Sequence, residues 1–445
     1  MRRLRRGGSA LAIFAAALTA TALTVPAQAA AQHHQGNASG KGSAAHYVHG
    51  KGKMSHGRYA PMHGRNVAAD CASKPTTDHV ACEAKVHAYN TSGRTGPQLM
   101  TAATGLGPAD IESAYGLTGQ SGAGRTVAIV DAFDDPKAEA DLAAYRSHFG
   151  LPACTTANGC FKKVGQTGST TSLPKTDYGW SLEISLDLDM VSATCPSCHI
   201  LLVESSSANF SDIVTAENTA AATPGVVSIS NSYGGTEDGT EASIDSAYDH
   251  PGIAITASTG DNGYGASYPA TSPHVTAVGG TSLTKSTATS RGWTESAWSG
   301  AGSGCSKALP QPAFQNGLSS CTTRATADVS AVADPNTGLA IYDTANSCGS
   351  GTLCDLLIEL GLVSGSDGWV QVGGTSASSP IIASVYALAG NTGSIDNSYP
   401  YSHTSSLWDV TSGSNGSCGG SNLCTAGPGW DGPTGLGTPN GVGAF

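Results

Sequence analysis

One serine lies where the chain could present a nucleophile. Ser376 is part of the small-residue turn Gly373-Gly374-Thr375-Ser376, which precedes the apolar run 381–389. The glycines permit a sharp turn, and the apolar run predicts a buried helix with Ser376 in its first turn. Free backbone N–H groups and the positive end of the helix dipole would then lie beside the hydroxyl, which favours a nucleophilic serine. The same residues could also form a loop that caps an ordinary helix.

Such a serine needs a base, and two carboxylates are the candidates. The sequence lacks the His-Gly-Thr motif in which subtilisins carry their histidine. Glu183 and Asp187 instead lie four residues apart in the largely apolar segment 180–190, so they share one face of a predicted helix. Two partly buried carboxyls this close cannot both ionise cheaply, so one pKa rises and a proton is shared. A solvated acidic helix face is the alternative interpretation.

A third acid follows a predicted strand directly. Asp261 comes after the apolar run 253–257, in Ser258-Thr259-Gly260-Asp261, and is therefore expected at the carboxyl end of that strand. Ligands of open α/β sheets bind at that end. A protonated carboxyl there could donate a hydrogen bond to the oxyanion of a tetrahedral intermediate. Taken alone, the Gly-Asp-Asn-Gly pattern would indicate a tight turn.

Taken together, the three segments resemble the motifs of the sedolisin family, which are serine-carboxyl peptidases with a subtilisin-like fold. The resemblance covers roughly residues 105–445 in both order and spacing. It implies that Ser376 is the nucleophile and Glu183 the general base. It also implies that Asp187 orients the base and that Asp261 stabilises the oxyanion.

The resemblance further implies one structural Ca²⁺ ion near the C-terminus. The implied ligands are the carboxylates of Asp409 and Asp431 and the backbone carbonyls of Val410, Gly427 and Gly429. Hard oxygen ligands on a glycine-rich loop suit Ca²⁺. Without the resemblance, these segments would be two Asp-containing turns.

Apolar strands alternate with helices along the body of the chain, which indicates an α/β fold. Strands are predicted at 127–132, 200–203, 226–230, 253–257 and 275–278, and helices at 136–149, 180–191, 210–221 and 241–248. With right-handed crossovers, this alternation predicts a doubly wound, mostly parallel sheet with helices on both faces, and the resemblance makes it subtilisin-like. Residues 281–370 are expected to be loop-rich.

The N-terminus predicts export. A basic start, an apolar run over 10–25 and Ala27-Gln28-Ala29 are typical of a secretory signal peptide, here 1–29. Residues 30–104 are predicted to be a basic, His-rich prosegment that is largely disordered, and 105–445 the peptidase domain. Because no later stretch is long enough to span a bilayer, we expect a secreted, extracellular protein without a membrane anchor.

Charge is divided unevenly between the leader and the body. Residues 1–100 hold 12 Lys/Arg and 3 Asp/Glu, whereas 101–445 hold 10 and 30. The acidic body argues against a nucleic-acid partner, so the expected partner is a protein or peptide substrate. The basic leader is expected to lie on the acidic body near neutral pH and to loosen on acidification. No heptads or large apolar stripes remain, so we expect a monomer.

The twelve cysteines fall into close sequential pairs. An even number in an exported chain suggests disulfides, and local pairing is predicted for Cys71/Cys82, Cys154/Cys160, Cys195/Cys198, Cys305/Cys321, Cys348/Cys354 and Cys418/Cys424. Cys195-Pro-Ser-Cys198 could instead be a redox or zinc motif, but a second such motif is missing. These bridges are expected to pin loops, because short loops gain little from cross-linking.

Several functions remain compatible with these residues. The first is a secreted acid endopeptidase, and the second a tripeptidyl-peptidase of the same family. A third is a calcium-stabilised binding protein on a catalytically dead peptidase scaffold. A two-carboxylate glycosidase is disfavoured, because neighbours on one helix face, Glu183 and Asp187, would not straddle a sugar and would leave Ser376 without a role.

Overall fold

An eight-stranded sheet forms the centre of the structure. The computed structural model describes residues 66–68, 75–91, 94–97, 103–345 and 368–445, and at 66–68, 88–91 and 94–97 the backbone alone. All of these residues belong to one compact unit, Met54–Phe445. The predicted signal peptide and most of the predicted prosegment lie outside the described residues.

The strands and helices are numbered in chain order. The strands are β1 (Asn66–Ala68), β2 (Ala81–Cys82), β3 (Lys85–Thr91), β4 (Arg94–Pro97), β5 (Thr126–Ala132), β6 (Phe161–Gly165), β7 (His199–Ser205), β8 (Val226–Asn231), β9 (Tyr233–Gly234), β10 (Ala254–Ser258), β11 (Thr276–Lys285), β12 (Trp293–Ala297), β13 (Gly304–Pro310), β14 (Thr323–Thr326), β15 (Val329–Val332), β16 (Leu339–Tyr342), β17 (Trp369–Gly373), β18 (Leu407–Trp408) and β19 (Thr438–Pro439). The α-helices are α1 (Pro108–Tyr115), α2 (Ala138–His148), α3 (Tyr178–Thr194), α4 (Phe210–Ala221), α5 (Thr375–Ala389) and α6 (Tyr399–Ser402).

The large sheet has the strand order β12-β11-β10-β8-β5-β7-β6, with β15 beside β11. Its neighbouring strands run parallel except for β11 and β12. Along β5, Val127 and Ile129 face the core that contains α3 and α5, whereas Ala128 and Val130 face the core that contains α4. This alternation follows from the two-residue repeat of a strand. Helices therefore cover both faces, and the predicted doubly wound, mostly parallel α/β fold is confirmed.

Two segments differ from their predictions. Residues 241–248 form two short 3₁₀ turns, Glu241–Ser243 and Asp245–Tyr248, where the pattern predicts a helix. Polar side chains there bond to nearby backbone groups, as Ser243 Oγ does to the carbonyl of Thr240, and such bonds compete with regular helix. The region expected to be loop-rich contains β12 to β17, whose shortness hides them from a periodicity analysis.

The strands before residue 98 are paired with the body of the chain. β2 pairs antiparallel with β9, and β3 pairs antiparallel with β17. The described residues of the range 30–104 are therefore paired with the body, and most of the range for which disorder is predicted lies outside the described residues.

Four of the predicted disulfides are present in the described residues: Cys154–Cys160, Cys195–Cys198, Cys305–Cys321 and Cys418–Cys424. Each closes a short loop, so each mainly fixes local geometry. Cys71, Cys348 and Cys354 lie outside the described residues. Of the helices that the structure describes, none is both long and apolar enough to cross a membrane.

Candidate active site

Ser376 lies in the first turn of α5 and is fully buried. Its hydroxyl donates to the carbonyl of Ser232 at 3.2 Å and accepts from the backbone N–H of Glu83 at 3.1 Å. Pro380, four residues on, has no N–H to offer to the carbonyl of Ser376. That carbonyl accepts instead from Ser232 Oγ at 3.1 Å. Both the hydroxyl and the carbonyl of Ser376 are therefore bonded to Ser232, which lies between β8 and β9.

The predicted acid pair lies on α3, which is buried along almost its whole length. Both Glu183 and Asp187 are fully buried, and no carboxylate oxygen of either residue has a hydrogen-bond partner of good geometry. Burial raises the pKa of Glu183 well above its ordinary value, Asp187 raises it further, and the Ser376 hydroxyl lowers it. The structure thus brings Ser376, Glu183 and Asp187 together, as the sequence predicts. The Ser376 hydroxyl now points to the carbonyl of Ser232, so a rotation would direct it to Glu183.

Sequence analysis missed a further carboxyl, which lies beside Glu183 and Asp187. Asp131, near the end of β5, is fully buried and its oxygens are unpartnered. Burial and then Glu183 and Glu204 raise the pKa of Asp131, and Asp131 in turn raises the pKa of Asp187. Because these carboxyls repel one another, they titrate as a coupled set that shares protons. The available signal was an acid in an otherwise apolar strand, since such a charge is costly without a role.

Asp261 follows β10, as predicted, and faces the start of α5. Its Oδ1 accepts from Thr375 N at 2.7 Å and from Thr375 Oγ1 at 3.0 Å, whereas Oδ2 is buried and unpartnered. Burial raises the pKa of Asp261 to about 6, although Lys85 and the bonds from Thr375 oppose the shift. Gly374, at φ +103°, leaves the space open, because a Cβ there would lie 2.6 Å from Oδ2. A protonated Asp261 thus has one oxygen held and the other free to donate.

Four of the implied calcium residues lie close together, although they come from two segments of the chain. Gly429 N donates to Asp409 Oδ2 at 2.9 Å, and Gly427 N donates to Asp431 Oδ2 at 3.1 Å. Burial raises the pKa of Asp431 to about 7, and repulsion from Asp409 contributes to the shift. Two carboxylates that repel each other on a glycine-rich loop fit a cation of the Ca²⁺ type. Val410, directly after Asp409, is buried. Among the described residues, no group of three or more His, Cys, Asp or Glu side chains forms a metal cluster.

The amino-acid sequence is similar to those of several known proteins. No family model matches the chain. The chain is 28% identical to kumamolisin of Bacillus sp. strain MN-32 over 376 residues, which are 77% of this chain and 63% of that protein. It is 27% identical to xanthomonalisin of Xanthomonas sp. strain T-22 over 413 residues, or 77% of this chain and 46% of that protein. The chain thus spans less than two thirds of the length of either relative.

A solved structure extends the likeness to three dimensions. It is a Pseudomonas sedolisin, described as a serine-carboxyl proteinase complexed with two molecules of pseudo-iodotyrostatin. It is 26% identical, covers 76% of this chain and 96% of its own, and superimposes with a TM-score of 0.61. Fold and site together define a subtilisin-like α/β protein with a serine and carboxyls in place of a serine and a histidine. In sequence and fold the chain is similar to members of the sedolisin family.

Proposed function

We propose that this chain is a secreted serine-carboxyl endopeptidase that hydrolyses peptide bonds at acidic pH. One observation carries the proposal: a buried Ser376 adjoins the buried Glu183–Asp187 pair, and the free Oδ2 of Asp261 faces the same space. Nucleophile, base and oxyanion donor are the three parts that acyl transfer requires. The likeness to serine-carboxyl peptidases of the sedolisin family supports the same reaction.

In the proposed mechanism, Ser376 Oγ attacks the carbonyl carbon of the substrate while Glu183 takes the hydroxyl proton. Asp187, one helical turn from Glu183, positions that carboxyl and shares its protons. Asp261 donates from Oδ2 to the oxyanion. Glu183 then returns the proton to the leaving amine, and water hydrolyses the Ser376 ester by the reverse steps.

Acid pH follows from the protonation states that these roles need. Asp261 can donate only while protonated, and its pKa of about 6 leaves it mostly ionised above that pH. Activity is therefore expected in acid and should fade towards neutrality.

The route of one chain segment favours an endopeptidase over a tripeptidyl-peptidase. The segment 78–86 passes Ser376 and is bonded to the body on both sides of it, with Val80 N donating to Ala208 O before it and Lys85 pairing with Gly373 after it. A tripeptidyl-peptidase must close its cleft three residues before the cleaved bond. A cleft that holds a chain reaching from Asp78 to Glu83 is open beyond that distance.

We also propose a structural Ca²⁺ ion held by Asp409, Asp431 and the backbone carbonyls of Val410, Gly427 and Gly429. When bound, the ion would neutralise the repulsion between the two carboxylates and so stabilise the loop. It lies outside the catalytic steps. We further propose a monomer that acts on protein or peptide substrates, and the disulfides favour an oxidising, extracellular compartment.

The test is proteolysis of a denatured protein by the acid-incubated full chain, with calcium supplied, between about pH 2 and pH 8. Ser376→Ala is compared with Ser384→Ala, which removes another buried hydroxyl from the same helix. We expect acid activity in wild type and Ser384→Ala, and its loss in Ser376→Ala. A maximum at neutral pH would contradict the assigned base. No activity in wild type at any pH would favour a binding protein on an inactive scaffold.

A further inference from the structure

The segment 78–86 crosses the candidate active site as an extended chain. Before Ser376, Ala81 pairs with Gly234 and Cys82 pairs with Tyr233, both antiparallel. After it, Lys85 pairs with Gly373 and the next residue with Val372. The two ladders leave Glu83 and Ala84 between them, beside the serine. This is how a peptide substrate would add a strand to each wall of a cleft.

The register identifies the bond that faces the nucleophile. The backbone N–H of Glu83 donates to Ser376 Oγ at 3.1 Å. A Cβ on Gly374 would lie 1.9 Å from the carbonyl oxygen of Glu83 and 2.6 Å from Asp261 Oδ2, so both oxygens border the space that this glycine leaves open. The carbonyl carbon between these groups belongs to the Glu83–Ala84 peptide bond. Because Ser376 Oγ contacts the N–H of Glu83 and Asp261 lies on the side of its carbonyl, these contacts favour Glu83–Ala84 as the bond that is attacked.

The side chain of Glu83 fills a small pocket lined by hydroxyl groups. Ser258 Oγ donates to Glu83 Oε2 at 2.6 Å, and Thr375 Oγ1 lies 3.4 Å from the same oxygen. A Cβ on Gly234 would come within 2.5 Å of Glu83 Oε1 and 2.6 Å of Ser267 Oγ, so the missing side chain at 234 makes the room. Ser267 Oγ therefore lies near the end of the Glu83 side chain.

The charges around this side chain disfavour an anion. Asp261 and Glu183 are the acids that face it, and Lys85 is the cation. Burial and then Asp261 raise the pKa of Glu83 to about 8, against smaller opposing contributions from Ser258, Lys85 and Thr375. In acid, Glu83 therefore lies in the pocket as a neutral carboxylic acid, which is close in shape to the amide of glutamine.

We propose that the pocket formed by Gly234, Ser258, Ser267 and Thr375 selects glutamic acid, in its neutral form, or glutamine before the cleaved bond, and that the first such bond is Glu83–Ala84 of the chain itself. This selectivity rests on the proposed peptidase function, since it names the substrates of the same site. In the intramolecular step, the Ser376 Oγ–carbonyl bond forms and the Glu83–Ala84 C–N bond breaks. The Ala84 amine takes the proton held by Glu183, and water then releases Glu83 with a free carboxylate.

The first experiment uses the full chain. After incubation at about pH 4, intact mass and N-terminal sequencing should show a product that begins at Ala84, and none from Ser376→Ala. Glu83→Gln should be cut at the same bond, whereas Glu83→Lys and Glu83→Leu should be cut there at least about tenfold more slowly, since each leaves the hydroxyls of the pocket without their acceptor. Cleavage that starts at another bond, or equal rates for Gln, Lys and Leu, would overturn the proposed selectivity.

The second experiment separates this pocket from catalysis in general. Matched peptides with Glu, Gln, Leu or Lys before the scissile bond are compared by kcat/KM. Titration of the enzyme affects both peptides equally, so it cancels in the ratio of kcat/KM for the Glu peptide to kcat/KM for the Gln peptide. This ratio should fall by about tenfold per pH unit above about pH 4.3, because the free glutamate side chain ionises there. Ser258→Ala should reduce the preference for Glu and Gln over Leu, measured as a ratio of kcat/KM values, by about tenfold. Cleavage of all four peptides without preference would overturn the pocket assignment alone, whereas cleavage of none would overturn the peptidase function and the pocket with it.

Discussion

Replacing Asp261 by Asn should separate the oxyanion donor from the pH dependence of the reaction. Oδ1 of Asp261 is held by two bonds from Thr375, and Oδ2 is the free atom. An Asn amide oxygen can accept the same two bonds, which places its NH₂ group where Oδ2 lies. Unlike a carboxyl, that NH₂ group donates at every pH.

The magnitude follows from the pKa of about 6 for Asp261. In wild type the protonated fraction, and with it any rate that depends on this proton, falls by about tenfold per pH unit above pH 6. Between pH 6, where half of the group is protonated, and pH 8 the loss from this group is about 50-fold. The segment 78–86 fills the cleft in the structure, so the value describes the occupied site and applies to kcat rather than to kcat/KM.

The assay is kcat against pH for acid-processed wild type, Asp261→Asn and Asp261→Ala on one peptide. We expect Asp261→Asn to shift the alkaline limb to higher pH. Asp261→Ala should lower kcat by about 10²–10³ because a donor is lost. If Asp261→Asn keeps the alkaline limb of wild type, another group controls that limb. If Asp261→Ala keeps the wild-type kcat, Asp261 donates nothing to the transition state.

Two further predictions concern stability. Burial raises the pKa of Glu217 from 4.5 to about 8, so its contribution is fully present below pH 4.5 and is lost as the pH rises towards 8. The free energy of unfolding of Glu217→Gln minus that of wild type should therefore be about 3 kcal/mol larger at pH 7 than at pH 4. Urea unfolding at both pH values measures this difference, and an equal difference at the two pH values would refute the prediction. Calcium at about 100 times its Kd should stabilise the protein by about 3 kcal/mol, and a chelator should reverse the effect. Asp431→Asn should abolish this response and the exposed Asp396→Asn should not, and a response that survives in Asp431→Asn would exclude the proposed loop.

The catalytic candidates could be predicted because each depends on local spacing. The i, i+4 interval puts Glu183 and Asp187 on one helix face wherever that helix lies. A strand followed at once by a turn puts Asp261 at the carboxyl edge of a parallel sheet. A glycine turn before an apolar run puts Ser376 at a helix start. The sheet then gathers these positions, because its parallel strands end at one edge.

What could not be predicted depends on distant partners. Asp131 joins the acid cluster only because β5 lies in the middle of the sheet, and strand order is not encoded in any window of the sequence. The bond from Ser232 to the Ser376 carbonyl links residues 144 apart. Strand β3 pairs with β17 almost 300 residues later, and it packs against other strands rather than showing a regular alternation of its own. Composition alone therefore does not reveal this strand.

The same contacts alter the expected behaviour of the leader. Simple attraction between a basic leader and an acidic body predicts that acid loosens it. For the segment at the active site the opposite holds, because Glu83 has a pKa of about 8 in the cleft and about 4.5 in solution. The segment is therefore held more tightly as Glu83 takes up a proton, and its hold weakens as the pH rises from 4.5 towards 8. Asp261 becomes protonated below about pH 6, within that range. At acidic pH the segment should therefore stay bound with Glu83–Ala84 beside Ser376 while Asp261 is protonated and able to donate. We thus expect the segment to leave after cleavage rather than by dissociation.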